Sequence, residues 1–511
     1  MQDDFSVSPK LTINAGLRYE VMTPQWERDN RLANFNPATT SLVQASGGSI
    51  FNKAQVHTDM KNFAPRLGFA YSVDPKTVLR AGYGLVYAQY NREGGENNLT
   101  YNGPDVVNAS INNPSPFVTP IGSNLCVNDT QAQSSCFRQT QQGYAATLTS
   151  PTNFIPVNAE SRYIPPSYVT GYVQSYFVGV QRQLWWGMLL DVAYVGNVGH
   201  HIELLADYNQ AAPCLLPSVS ACPTYQSRRP VPTFGDIEIS LPEGSSSYNS
   251  LQTKLEKRLG ALYLLNSFTY SRAFDLASGH LDTNNGDNSR VNFANPSNDY
   301  GPSSYDQPID NTTSVVYDLP YGKGKHWGNN AHSFMQEALG GWELTMINTM
   351  TSGMPFNLTY SSSSTNAQTG PLFTTDLATL RPEHINGTPW RNPKSAFAKA
   401  TAKSSLTNYL PYTSYALPSY ALYGNTSAYG NVSRNKFRGF LYFDTDLGLH
   451  KQFGLGTERV KLDFRAEMFN ALNVTNWMAP DGAYTDGNGS FGSIGTAFPA
   501  RQVQFAGKVI F

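Results

Sequence analysis

Charge is what this 511-residue chain has least of: Asp, Glu, Lys and Arg make up 14% of it, against about 25% in ordinary soluble domains. Acids and bases nearly cancel, 37 against 36, for a net charge of −1. No basic stripe offers a nucleic-acid footprint, so no nucleic-acid partner is expected. There is no run of about 18 apolar residues, which excludes transmembrane helices. Cysteine is scarce: four residues, as Cys126/Cys136 and Cys214/Cys222, with neither zinc-ligand nor Cys-x-x-Cys redox spacing. The chain opens Met1-Gln2-Asp3-Asp4-Phe5, without the basic and apolar regions of a secretory signal. GxSxG, HExxH and P-loop motifs are missing, and no catalytic constellation takes their place. Neither an enzyme nor a cofactor is expected.

What the chain does have is aromatic residues and glycine, with Tyr 30, Phe 27 and Gly 42, set in a period of two. Alternation at that period sends successive side chains to opposite faces of a strand. In 459–468, Val460, Leu462, Phe464, Ala466 and Met468 take one face, and Lys461, Asp463, Arg465 and Glu467 the other. In 11–21, Leu11, Ile13, Ala15, Leu17, Tyr19 and Val21 oppose Thr12, Asn14, Gly16, Arg18 and Glu20. In 250–258, Leu251, Thr253 and Leu255 oppose Gln252, Lys254, Glu256 and Arg258. Charges of alternating sign can pair along a wet lumen while the other face meets lipid. Arg18, Glu20, Lys254, Glu256, Lys461, Asp463, Arg465 and Glu467 are therefore the candidate lumen-facing residues. A soluble antiparallel sandwich alternates too.

The connections separate the two. Short turns at 8–10, 74–76, 185–187, 259–260 and 454–456, and a longer one at 320–337, alternate with long polar connections at 23–62, 91–167, 199–246, 275–307, 361–436 and 474–498. Short periplasmic turns alternating with long extracellular loops are the rhythm of an outer-membrane barrel. A compact soluble domain rarely carries so many long connections. The reading is all-β: an antiparallel transmembrane β-barrel in the cell outer membrane, with outer-membrane lipid as its surroundings. Strands are expected at 5–8, 10–22, 63–73, 76–90, 168–184, 187–198, 247–258, 261–274, 308–319, 338–359, 437–453, 458–473 and 499–511. That makes about 13, the first a stub running inward from outside. Bacterial single-chain barrels have even strand counts and periplasmic termini. Upstream strands are therefore expected, with residues 1–511 the C-terminal part of a larger parent barrel. The sheet is expected to stay open, with closure of 499–511 onto 10–22 as the alternative.

Several segments resemble a known family. Gln2-Asp-Asp-Phe-Ser-Val-Ser-Pro-Lys-Leu-Thr-Ile-Asn-Ala-Gly-Leu-Arg-Tyr-Glu20, Phe63-Ala-Pro-Arg-Leu-Gly-Phe69, Asn266-Ser-Phe-Thr-Tyr-Ser-Arg272 and Arg465-Ala-Glu-Met-Phe-Asn-Ala-Leu-Asn473 are similar to pieces of TonB-dependent receptor barrels. The similarity is to the Oar-like branch, whose members carry a carboxypeptidase-regulatory-like domain. The terminal run, with Val503, Phe505, Val509 and a final Phe511, resembles the signal read by the barrel-insertion machinery. The resemblance implies a parent of roughly 22 strands with a plug and a TonB-contacting segment, importing a bulky substrate. Neither part matches within 1–511, so the TonB complex would be met only through the N-terminal part of the parent.

Other candidates read more simply. Cys126/Cys136 and Cys214/Cys222 sit close together in separate loops, which suggests two local disulfides in an oxidising compartment; four free thiols are the alternative. Adjacent His200 and His201 would point to opposite faces of a strand, which disfavours a shared metal. The stretches 282–289 and 481–489 lack EF-hand spacing and read as polar loops. Trp185 and Trp186 flank a short turn, where an aromatic belt would sit. Against the receptor reading stands a structural or adhesive surface protein that transports nothing; the substrate itself is not written in the sequence.

Overall fold

The fold was analysed in a computed structural model, which describes residues 2–87, 99–105, 119–120, 136–137, 154, 156–158, 160–212, 223–224, 226–279, 291–360, 380–393, 409–418, 430–454, 460–484 and 490–511. Its main element is one sheet, with two short strands beside its path, Ser161–Tyr163 pairing in parallel with 237–239 and Gly301–Pro302 pairing with 274–275. The continuous path is thirteen antiparallel strands in chain order. These are β1 (Gln2–Ser8), β2 (Leu11–Tyr19), β3 (Phe63–Asp74), β4 (Thr77–Tyr87), β5 (Tyr172–Gln183) and β6 (Met188–Asp207). Then follow β7 (Ile237–Leu259), β8 (Leu262–Asp275), β9 (Ile309–Asp318), β10 (Trp342–Thr351), β11 (Tyr442–Gly454), β12 (Lys461–Phe469) and β13 (Gln502–Ile510). The expected count and order hold, and each strand pairs with its sequence neighbour.

The tight turns have local causes. Asp74 accepts from the Lys76 N–H at 2.7 Å and the Thr77 hydroxyl at 3.0 Å, holding the β3–β4 reversal. Gly260, at φ +66°, makes the β7–β8 turn, a conformation glycine adopts at little cost. Between β9 and β10 lies a short helix, α2 (Ser333–Leu339); the first helix of the chain, α1 (Ile50–Ala54), is in the long connection after β2.

Several boundaries differ from the sequence reading. The β6–β7 hairpin continues to Asp207 and starts again at Ile237, where polar loop was expected. Leu204, Ala206, Ile239 and Leu241 drive this, since they pack together in a buried cluster. The expected strand 338–359 is cut short because 333–339 is helical and Gly341 takes φ +72°. The first strand is seven residues long rather than a stub. The long connections are not structureless either. They carry short strand pairs, such as Ala33–Asn36 with Ser41–Gln44, and, together with the extended ends of β6 and β7, the four buried apolar clusters seen among the described residues.

That location of the core rules out a sandwich. Two packed sheets would bury their apolar faces against each other. Here the shared part of the sheet adds nothing to those clusters. Among the described residues, β13 pairs with β12 only and β1 with β2 only. The sheet is an open partial barrel, and the alternative of pairing 499–511 with 10–22 is not realised.

Candidate functional site

The register of the thirteen strands decides which side chains share a face, because directly opposed residues in an antiparallel pair lie on the same side. From β12 inward, Arg465 opposes His450, His450 opposes Glu343, and Glu343 opposes Asp318. On the same face, Val316 opposes Tyr263 and Tyr263 opposes Arg258, two residues from Glu256. Lys254 opposes Asp191, Asp191 opposes Gln181, and Gln181 opposes Val78, two residues from Arg80. Arg80 opposes Ala70 and Ala70 opposes Thr12. Arg18 shares that side of β2, and Glu20, just past the strand end, pairs with Arg18. The eight candidate residues thus sit on one side of the sheet, on or beside β2, β7 and β12. They form three separate groups rather than one constellation.

The group on β2 is the single Arg18–Glu20 pair, and the other two are short ion-pair ladders. Arg465 reaches Asp463 at 3.1 Å, and His450 stands 3.5 Å from Glu343 and 3.6 Å from Glu467. Gln504 of β13 donates to Glu467. Lys254 lies 3.1 Å from Glu256, which Arg258 also contacts. Between the groups many positions on the face are small or polar, among them Gly68, Gly82, Gly84, Ser175, Ser250, Thr312 and Thr349, while Phe177, Val86 and Ile347 are apolar exceptions on the same side.

The opposite face is apolar and uncovered. Leu67 is 56% exposed, Val178 62% and Phe505 72%, with Leu17, Phe69, Tyr71, Tyr194, Leu251 and Tyr270 also exposed. An exposed apolar surface of this extent marks contact with something other than water. Val503, Phe505 and Val509 lie on it, opposite Met468, Ala466 and Leu462; Phe511 lies beyond the last strand and is exposed. The amides on this face are satisfied by neighbours. Asn266 donates to Asn311 at 2.9 Å and Thr313 at 2.8 Å, and Asn348 to Thr445 at 2.8 Å. Asn249 accepts from Tyr194 at 2.6 Å and Tyr176 at 3.3 Å. Internal satisfaction is what a hydrocarbon setting demands. Periodicity hid these pairs, since an amide in a strand announces no partner.

Other sequence candidates fall as follows. Trp185 and Trp186 are 67% and 71% exposed at their turn. His201 takes φ +53° in a bulge, and both its ring and that of His200 lie near Tyr172, at 6.0 and 5.3 Å between centroids. The expectation that they face apart is thereby corrected, because the bulge breaks the alternation. Among the described residues no three His, Cys, Asp or Glu side chains are placed to hold a metal, and no helix is long and apolar enough to cross a membrane. Cys126, Cys214 and Cys222 lie outside the described residues, as do 282–289 and 485–489; of Cys136 only the backbone is described.

A family model described as outer membrane beta barrel domain matches residues 1–504. The chain belongs to this family. It is an outer-membrane protein whose sheet is part of a transmembrane barrel, with membrane lipid as its environment. Similar solved structures include the ferripyoverdine receptor of the outer membrane of Pseudomonas aeruginosa, at 11% identity and TM-score 0.38, covering 99% of this chain and 37% of that one. The outer membrane transporter YddB from Escherichia coli matches at 10% identity and TM-score 0.42, covering 98% and 43%. The siderophore receptor PirA from Acinetobacter baumannii matches at 8% identity and TM-score 0.39, covering 100% and 44%. The chain thus spans less than half the length of each of these. No curated protein sequence matches it.

Proposed function

We propose that this outer-membrane barrel protein is the C-terminal barrel portion of a TonB-dependent receptor of the Oar-like kind, which takes up a bulky substrate and catalyses no reaction. In this reading residues 1–511 supply barrel strands and outer loops and contain no plug domain. The charged face lines the lumen and the apolar face meets lipid. Val503, Phe505, Val509 and Phe511 serve the insertion machinery, and the TonB complex is engaged through an N-terminal part of the parent. The observation that carries the reading is the single-sided placement of Arg18, Glu20, Lys254, Glu256, Lys461, Asp463, Arg465 and Glu467 across the sheet. A polar lumen opposite a lipid face is the arrangement of barrels that pass solutes.

The test is uptake. A strain lacking the gene is compared with one restored with the full gene product, over a panel of solutes too large for diffusion pores. Loss of uptake of at least one solute, regained on restoration and stopped by a protonophore, is the expected result. Unchanged uptake with altered surface attachment would instead establish the structural or adhesive role.

A further inference from the structure

The connection between β9 and β10 carries α2 on the outer wall of the sheet. Trp342 and Lys451 oppose each other on the apolar face. Trp342 Nε1 donates to the Ala338 carbonyl at 2.9 Å, and Lys451 Nζ donates to the Glu337 carbonyl. Both carbonyls lie in the last turn of α2, so the apolar face holds the helix by its C-terminal end. We propose that α2 lies in the periplasmic leaflet of the outer membrane and buries Phe334, Met335 and Leu339 among its phospholipids.

Lys451 explains why a helix sits there. It is buried on the apolar face of β11, and an ammonium at such a place needs a partner. The last carbonyls of a helix lack intrahelical donors and carry negative partial charge, so the end of α2 supplies one. Seven residues are too few for a helix to stand alone in water. This one is also tied at Gln336, which donates to the Gly328 carbonyl at 2.6 Å and the Asn329 carbonyl at 3.1 Å.

These ties leave an apolar side uncovered. Phe334 is 74% exposed, and Met335, Leu339 and nearby Trp327 are exposed as well. Positions 334 and 338, and 335 and 339, are four apart and stack along one side of the helix. The patch continues the lipid face. The Trp342 ring lies 6.1 Å from those of Phe453 and Phe464, and Phe464 lies 6.4 Å from the exposed Phe505. An apolar patch of this kind marks a contact, and the surroundings that cover the rest of this face are lipid. The level is the short-turn end of the sheet, since Tyr317 opposes Leu262 beside the Gly260 turn. That end is periplasmic in an outer-membrane barrel, and Trp and Phe beside an apolar helix face suit the interfacial layer. The inference rests on the outward assignment of the apolar face and not on transport.

The experiment places a bimane label on the full protein at one added cysteine: Phe334→Cys, Leu339→Cys, Leu251→Cys on the apolar face or Lys254→Cys on the charged face. Each is reconstituted into vesicles of phosphatidylethanolamine and phosphatidylglycerol with plain or brominated acyl chains, beside protein without the added cysteine. Loss of fluorescence to the brominated lipid at 334, 339 and 251, with none at 254, is expected. Loss at 251 but at neither 334 nor 339 overturns the proposal and leaves a periplasmic protein or a second copy to cover α2. No loss at 251 overturns it together with the face assignment.

Discussion

Arg434 places its guanidinium 2.6 Å from the carboxylate of Asp275, across 159 residues of chain, with both side chains buried. The same group donates to the Asp275 carbonyl at 2.8 Å and to Ser278 Oγ at 2.6 Å. It ties the approach to β11 onto the end of β8. Removing one partner of such a pair leaves a buried charge unanswered and costs about 3–5 kcal/mol. Arg434→Ala is therefore expected to speed amide exchange in 299–306 and 430–438 while leaving β12 unchanged. Unchanged exchange in those segments would show that the pair holds nothing.

The two faces should label differently. Single cysteines at Lys254 and Gln252 should react with a water-soluble maleimide in intact outer membranes, and cysteines at Leu251 and Leu255 should not, read by mass spectrometry at each site. The register places the first two on the charged face and the last two on the apolar one. Reaction at Leu251 and Leu255 instead would reverse the assignment of lumen and lipid.

His384 sets a pH dependence in the outer loops. It is buried, stacked on Trp390 at 3.6 Å and edge-on to Tyr415 at 5.5 Å. Burial, aided by the nearby Lys436 charge, holds its pKa below the ordinary 6.5. The unfolded loop then binds a proton that the folded loop refuses. Stability is full above about 6.5 and is lost as pH falls toward the depressed folded value. Exchange in 380–393 and 409–418 should accelerate on acidification through that window, and His384→Phe should flatten the response.

Gly196 is expected to resist enlargement. Tyr176 lies across it, and a Cβ there would overlap the ring that reaches Asn249. Gly196→Val should cost about 1–3 kcal/mol, as overpacking does. It should lower the temperature at which the folded band disappears on cold-loaded gels, whereas Gly454→Ala, at a position with open space, should not.

The cysteine pairing is open to direct chemistry. Peptide mapping without reduction should recover Cys126 joined to Cys136 and Cys214 joined to Cys222, and reduction should separate both. Free thiols at all four positions would leave the loops uncrosslinked.

The sequence by itself determined the order of the thirteen strands and, where alternation is strict, which residues share a face. Alternation in 459–468 separates Asp463 and Arg465 from Leu462 and Phe464 without knowledge of any partner, because a pleated strand sends neighbours to opposite sides. Turn chemistry at Asp74 and Gly260 is equally local. The sequence could not say that Asn348 would find Thr445 or that Arg434 would meet Asp275. Those pairs join residues 97 and 159 positions apart, and no periodicity encodes them. The loops were the poorest reading for the same reason. Their cores are built from scattered residues such as Leu358, Leu410 and Ile494, which only packing across the whole chain brings together.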